Sequence, residues 1–206
     1  MSIEFWFDFH SPWAFLAATQ IGALARRHGL GVDWRPFHLP RLNEASGGRR
    51  PLEENAAFVA WYRQDLQDWA TLYGETVRYR ADFPLRPARA LRAALYAIEA
   101  RAGEAFILAV FRAYWSENDD ISDLAVLSRI GVACGLDGAA VSEAAQSDRY
   151  RAMLDTATQE AIDGGLFGAP TMRWQGKLFF GNDRLALLDC FLGGEGPPVY
   201  AAKAPG

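Results

Sequence analysis

The first 37 residues constrain the fold of this 206-residue chain more than any other segment. An aromatic-rich apolar run at 3–9 (IEFWFDF) predicts a strand, and a helical pattern then runs from Pro12 to about residue 28, where glycines follow. The alternating run at 32–37 (VDWRPF) predicts a second strand. Because the connection has room for only one crossover helix, we expect a β-α-β unit with two parallel strands.

The middle of the chain has a different sequence pattern from its N-terminal part. The composition of residues 39–52 predicts a loop. From about 53 to 163, five segments carry apolar residues at three-and-four spacing, which predicts helices whose apolar stripes face a core. Asp123 and Asp148 are predicted to cap two of these helices.

After residue 164 the pattern becomes β-rich again. A hairpin is predicted around Gln175-Gly176, followed by a short helix that Asn182 caps. The order of elements predicts an α/β protein, a thioredoxin-like fold with a large all-helical insertion domain. We expect a discontinuous thioredoxin-like domain at 1–42 and 164–206 and the helical insertion at 43–163.

Composition excludes several classes of function. The net charge of −4 and pI near 5.4 argue against a nucleic acid or an anionic membrane as partner. No apolar run is long enough to span a bilayer, and the N-terminus lacks the pattern of a secretory signal, so we expect a cytoplasmic protein. Cys134 and Cys190 form no C-x-x-C and are predicted to be buried free thiols, and three scattered histidines predict no metal site.

Ser11 is the first candidate for chemistry. It follows the first strand, where a thioredoxin-like fold carries its C-x-x-C, but this chain has Ser-Pro-Trp-Ala there and cannot exchange disulfides. Serine followed by proline is typical of a helix start, so Ser11 can be a structural cap. A hydroxyl at a helix N-terminus can also donate to an anion, and a bound thiolate there would have a lowered pKa.

Other candidates are less specific. Pro170, after the Gly-rich GLFGA, is predicted at a strand start, and Asn182-Asp183 can either bind an ammonium group or only cap a helix. Asp8, His10 and Ser11 are the residue types of a hydrolytic triad, but the chain has no G-x-S-x-G. The Gly-rich segments also lack the lysine of a phosphate-binding loop, so neither class is favoured.

Four segments together carry a family resemblance: FDFHSPWAFLA, RQDLQDWATLYG, ADFPLRPARALRAAL and GLFGAPTMRWQGKLFFGNDRLALL. In this order, over roughly residues 3–192, the chain resembles the 2-hydroxychromene-2-carboxylate isomerase family. That family is akin to kappa-class glutathione transferases and, more distantly, to DsbA-like oxidoreductases. The resemblance implies a homodimer that uses glutathione as its cofactor.

The resemblance also implies roles for individual residues. Ser11 would be the catalytic serine that holds the glutathione sulfur, and Pro170 would be a cis-proline. The remaining cofactor-binding candidates are Ala169, whose backbone would pair with the cysteinyl part, Asn182 and Asp183, which would hold the γ-glutamyl end, and Trp13, Arg49 and Arg86. In such proteins the loop after the second strand commonly reads T-G-N-x-P-P and then a lysine. Here ASGGRRPLEENAAF has Gly48 and no lysine, and Arg86 stands where asparagine is common.

The implied reaction interconverts 2-hydroxychromene-2-carboxylate and trans-o-hydroxybenzylidenepyruvate, a step in aromatic catabolism. A thiolate would add reversibly to this small, electrophilic aromatic substrate. Two alternatives stay open. The chain can be a kappa-like glutathione transferase that conjugates other electrophiles, or a non-catalytic DsbA-like protein that binds a thiol peptide or a protein partner.

Overall fold

Strands lie at the two ends of the chain, and helices fill the middle. The computed structural model describes residues 1–47, 54–80 and 86–193. In chain order the elements are β1 (Ser2–Phe7), α1 (Pro12–Arg27), β2 (Gly31–Pro36), α2 (Leu39–Ser46), α3 (Ala56–Tyr73), α4 (Ala88–Glu99), α5 (Gly103–Trp115), α6 (Leu124–Ala133), α7 (Gly138–Gln146), α8 (Asp148–Asp163), β3 (Thr171–Trp174), β4 (Lys177–Phe180), a 3-10 turn (Asn182–Arg184) and α9 (Leu185–Phe191).

The strands form one mixed sheet in the order β2-β1-β3-β4. β1 and β2 pair in parallel, which confirms the predicted β-α-β unit, while β3 is antiparallel to both β1 and β4. The hairpin between β3 and β4 turns at Gln175 and Gly176, both with positive φ (48° and 79°), as predicted. This architecture is the predicted thioredoxin-like fold with a helical insertion.

β1 is buried on both faces because helices cover both sides of the sheet. On one face Phe7 packs against Phe111 of α5, with ring centroids 5.7 Å apart, and the ring of Phe9 lies 4.7 Å from the same side chain. On the other face Trp6 packs with Phe37 and Leu42. The helical insertion therefore contributes directly to the core that supports the end of β1. The boundaries predicted for the two domains remain predictions.

The loop predicted at 39–52 is wrong in its first half, because Leu39–Ser46 is the helix α2. Pro40 occupies the first turn, where proline is tolerated, and Gly47 ends the helix with a φ of 68°. Leu42 is buried beneath β1, so a tertiary contact stabilises a segment whose composition is typical of a loop. Residues 48–52 lie outside the described part of the chain.

Three smaller predictions also need correction. The sequence pattern did not indicate α7, a helix of small residues that packs closely on α6 and that Asp137 caps. Ser147, and not Asp148, caps α8, whereas Asp123 caps α6 as predicted. Cys134 and Cys190 are free thiols, but both are partly exposed and not buried.

Candidate active site

Ser11 lies in the turn that joins β1 to α1. Its N–H donates to the Asp8 carbonyl (3.1 Å), and its hydroxyl accepts the Ala14 N–H (3.1 Å) as the N-cap of α1. Pro12 is the first helical residue, as the sequence predicts. The structural interpretation of Ser11 as a cap is therefore correct, but it accounts for only one of the two hydrogen bonds that this hydroxyl makes.

The second hydrogen bond joins Ser11 to the far end of the chain. The Ser11 hydroxyl donates to the Ala169 carbonyl oxygen at 2.9 Å, and the side chain is only 5% exposed. The Ala169–Pro170 peptide bond is cis, as the resemblance implies. The fold thus brings together three of the candidate residues, Ser11, Ala169 and Pro170, although 158 residues separate the first from the second.

Asp8 fixes the turn that carries Ser11. Its carboxylate is fully buried and accepts the backbone N–H groups of His10 (2.9 Å) and Leu39 (2.7 Å). Leu39 is the first residue of α2, so the same carboxylate caps that helix from outside. The Asp8 carboxylate therefore holds backbone, whereas in a hydrolytic triad it would orient an imidazole.

Asn182 is buried in the 3-10 turn after β4 and caps no helix, which contradicts the predicted capping role. It is 3% exposed, and neither its amide oxygen nor its amide nitrogen makes a hydrogen bond of ordinary geometry within the described residues. The Tyr73 hydroxyl lies close to Asn182, which lowers the pKa of Tyr73, but burial has the larger effect and raises it. A buried amide in this state is rare in folded proteins and is expected to have a partner in the functional form.

Asp65 of α3 lies near the candidate residue Asp183, a proximity that the sequence did not indicate. Burial and then the neighbouring carboxylates of Asp68 and Asp183 raise its pKa, while a hydrogen bond from the Trp69 indole opposes that shift. The guanidinium of Arg184 offsets the charge of Asp183 only weakly, at 3.7 Å across an exposed surface. The surroundings of Asn182 are therefore negative, which favours a cationic ligand group.

The N-terminal half of α3 places aromatic rings beside Trp13. The ring centroids of Trp13 and Tyr62 are 5.7 Å apart in an edge-on arrangement, and the Tyr62 ring also stacks on Phe58. The Tyr62 hydroxyl is hydrogen bonded to the Trp13 indole and to Tyr79, and burial raises its pKa. One helix thus contacts both the start of α1 and the surroundings of Asn182.

Comparison with known proteins identifies the family of this chain. A family model described as a DSBA-like thioredoxin domain matches residues 2–193. A 2-hydroxychromene-2-carboxylate isomerase of Sphingobium xenophagum is 33% identical over 192 residues, covering 93% of this chain and 97% of the relative. One from Pseudomonas putida is 31% identical over 197 residues, covering 94% and 95%. The chain belongs to the 2-hydroxychromene-2-carboxylate isomerase family, within the DsbA-like thioredoxin domains.

A solved 2-hydroxychromene-2-carboxylate isomerase structure superposes with a TM-score of 0.84 at 28% identity, covering 94% of this chain and 95% of that one.

Two arginines of this family member were candidates from the sequence. Arg86 is exposed just before α4, and no hydrogen bond or ion pair within the described residues joins it to Ser11 or Asn182. Arg49 lies outside the described residues.

Neither a metal cluster nor a membrane span is found in the described part of this family member. Within residues 1–47, 54–80 and 86–193, no group of three or more potential ligands is arranged to hold a metal ion. In the same ranges, no helix combines the length and the apolar character that a membrane crossing requires.

Proposed function

We propose that this protein is a glutathione-dependent isomerase that interconverts 2-hydroxychromene-2-carboxylate and trans-o-hydroxybenzylidenepyruvate. The observation that carries the proposal is the Ser11 hydroxyl at the N-terminus of α1, hydrogen bonded to the carbonyl that precedes Pro170. The identity of about a third to curated relatives with this name supports it.

The residues present fit glutathione. Its γ-glutamyl end carries an ammonium and a carboxylate, and the site offers the carboxylates of Asp65 and Asp183 for the first. The buried Asn182 amide, beside the Tyr73 hydroxyl, carries both a donor and an acceptor and so could bind either group. The backbone of Ala169 can pair with the cysteinyl part, which would set the sulfur beside Ser11.

The 2-hydroxychromene is a cyclic hemiketal, so its ring C–O bond must open to a phenol and a conjugated ketone before a nucleophile can add. When bound, glutathione would supply the thiolate for a reversible addition to the conjugated double bond, which permits rotation before the sulfur leaves. Ser11 can donate its O–H to the sulfur, and the N-terminus of α1 adds a partial positive charge. Such surroundings lower a thiol pKa from about 8.5 by roughly one unit or more. Each unit corresponds to about 1.4 kcal/mol in favour of the thiolate.

Aromatic side chains near Trp13 support a small aromatic substrate. Phe58 is half-buried and Trp61 is 54% exposed, and their rings lie 5.5 Å apart at the start of α3. Offset or edge-on packing of a substrate ring on such side chains is favourable. We also propose a homodimer, as the family resemblance implies, which light scattering of the purified protein would test.

Glutathione titration by calorimetry tests the cofactor. We expect the wild type to bind glutathione and Ser11→Ala to bind at least tenfold more weakly, because the donor to the thiolate is gone. Ser147→Ala is the matched control, since Ser147 also caps a helix with its hydroxyl but has no contact with the site. Absence of binding by the wild type would contradict the proposal.

The reaction is tested by incubating the protein with 2-hydroxychromene-2-carboxylate and following the absorbance of the benzylidenepyruvate. We expect the rate to depend on glutathione while the total glutathione stays constant. One observation favours a second candidate: the segment ASGGRRPLEENAAF lacks the lysine common in the isomerases. If mass analysis finds a stable glutathione adduct instead of free thiol, the protein conjugates this electrophile and acts as a transferase.

A further inference from the structure

The Ser11 hydroxyl has one proton, and the structure assigns that proton to a backbone carbonyl. Its O–H donates to Ala169 at 2.9 Å, while its oxygen accepts the Ala14 N–H at 3.1 Å. A serine hydroxyl has a single donor, so it cannot donate to Ala169 and to a ligand sulfur at the same time. Stabilising a bound thiolate therefore requires that this existing hydrogen bond be broken.

Breaking the bond leaves the Ala169 carbonyl in need of another donor. Ala169 is only partly exposed and the Ser11 side chain is 5% exposed, so an unpaired carbonyl in this place is unfavourable. Within the described residues, the hydrogen bonds to this oxygen come from Ser11 alone. A ligand that brings its own donor to this carbonyl avoids that loss.

We propose that the Ser11–Ala169 hydrogen bond makes the site selective for thiols that carry a peptide N–H next to the thiol-bearing carbon. Such a ligand exchanges both partners at once: its N–H takes the Ala169 carbonyl, and its sulfur takes the Ser11 hydroxyl. A simple alkyl thiol supplies only the second partner, and a peptide without the thiol supplies only the first. This inference rests on the proposed use of glutathione and adds the reason why a peptide thiol is required.

The exchange predicts effects of opposite sign for one substitution. We would titrate two ligands by calorimetry at pH 8: glutathione, and the analogue in which a methyl group replaces the thiol (γ-glutamyl-2-aminobutyryl-glycine). Ser11→Ala should bind glutathione at least tenfold more weakly, because the donor to sulfur is lost. The same variant should bind the methyl analogue several-fold more tightly than the wild type does, because the Ser11 O–H no longer competes for the Ala169 carbonyl.

Two variants separate this effect from loss of the helix cap. Ser147→Ala removes the equivalent hydroxyl cap of α8 and should leave both affinities unchanged. Ser11→Thr keeps a hydroxyl at the site, so its affinities for the two ligands should follow the same order as those of the wild type. Equal weakening of both ligands by Ser11→Ala would overturn the inference, because the hydroxyl would then only shape the site.

A measurement on the wild type covers the case in which Ser11→Ala does not fold. The glutathione analogue in which an ester oxygen replaces the cysteinyl N–H keeps the thiol but lacks the replacement donor. We expect it to bind at least tenfold more weakly than glutathione, and equal binding would overturn the exchange. If the wild type binds no glutathione at all, the proposed function itself fails, which is a different result from either of these.

Discussion

Replacing Asp65 by asparagine should stabilise the free protein and weaken its binding of glutathione. Burial and the carboxylates of Asp68 and Asp183 raise the pKa of Asp65 above its ordinary value of 3.8. The folded protein therefore binds this proton more tightly than the unfolded chain, so stability falls as the pH rises from 3.8 through the raised pKa. Part of that loss comes from the two like charges of Asp68 and Asp183.

The size of both effects can be estimated. Pairs of charges near a surface contribute about 0.2–1 kcal/mol each, so relief of two repulsions gives roughly 0.4–2 kcal/mol. For a domain of this size that corresponds to a rise in Tm of about 1–8 °C. A charge-assisted hydrogen bond to the ligand ammonium contributes about 1.5–3 kcal/mol when buried. At this half-exposed position we expect about 1–2 kcal/mol, or a Kd some 5- to 30-fold higher.

Thermal melts and glutathione titrations at pH 7 check this prediction. The asparagine side chain would still accept the hydrogen bond from the Trp69 indole, so the substitution removes mainly charge. Asp68→Asn is the matched control: it removes one of the same repulsions and should raise Tm slightly without changing the affinity. A fall in Tm for Asp65→Asn, or an unchanged Kd, would refute the reasoning.

Three other substitutions test the same site. Asn182→Leu replaces by an apolar group a buried amide that makes no hydrogen bond of ordinary geometry within the described residues. Tm should therefore stay within about 2 °C of the wild type or rise, while glutathione binds at least tenfold more weakly. A large drop in Tm would show that the amide is already paired. Gly181→Ala should cost about 1–3 kcal/mol in a urea melt, because φ is 108° and the new Cβ would lie 2.6 Å from an Asp183 oxygen. Asp8→Asn places an amide donor against a backbone N–H and should lower Tm by about 5 °C; an unchanged Tm would contradict the role given to this carboxylate.

The sequence predicts those parts of the site whose signals are local. The cap and the first turn of α1 follow from Ser11-Pro12, and the hairpin follows from Gln175-Gly176. The start of α2 could not be predicted, because its stabilising partners are distant: the Asp8 carboxylate lies 31 residues before Leu39. The N–H of His38, the residue before Leu39, donates to the Thr158 hydroxyl of α8.

Distance along the chain also explains why the sequence misplaced Asn182 as a cap and gave no sign of Asp65 near the candidate γ-glutamyl site. Asn182 follows a strand and precedes a helix, which locally predicts a cap, but the fold buries its amide near the Tyr73 side chain. Asp65 shares a helical face with Trp69 and Tyr73, yet no local pattern links it to Asp183. Only the tertiary fold brings these residues together.

The contact between the insertion and the end of β1 affects which parts of this fold are free to diverge. The Trp115 indole of α5 donates to the Phe9 carbonyl at 2.9 Å, two residues before Ser11. A change on this side of the insertion would move the serine itself, whereas α3 presents partly exposed rings such as Trp61 at its outer surface. Relatives that accept different electrophiles should therefore differ first along α3, and the part of α5 that meets β1 should tolerate the fewest replacements.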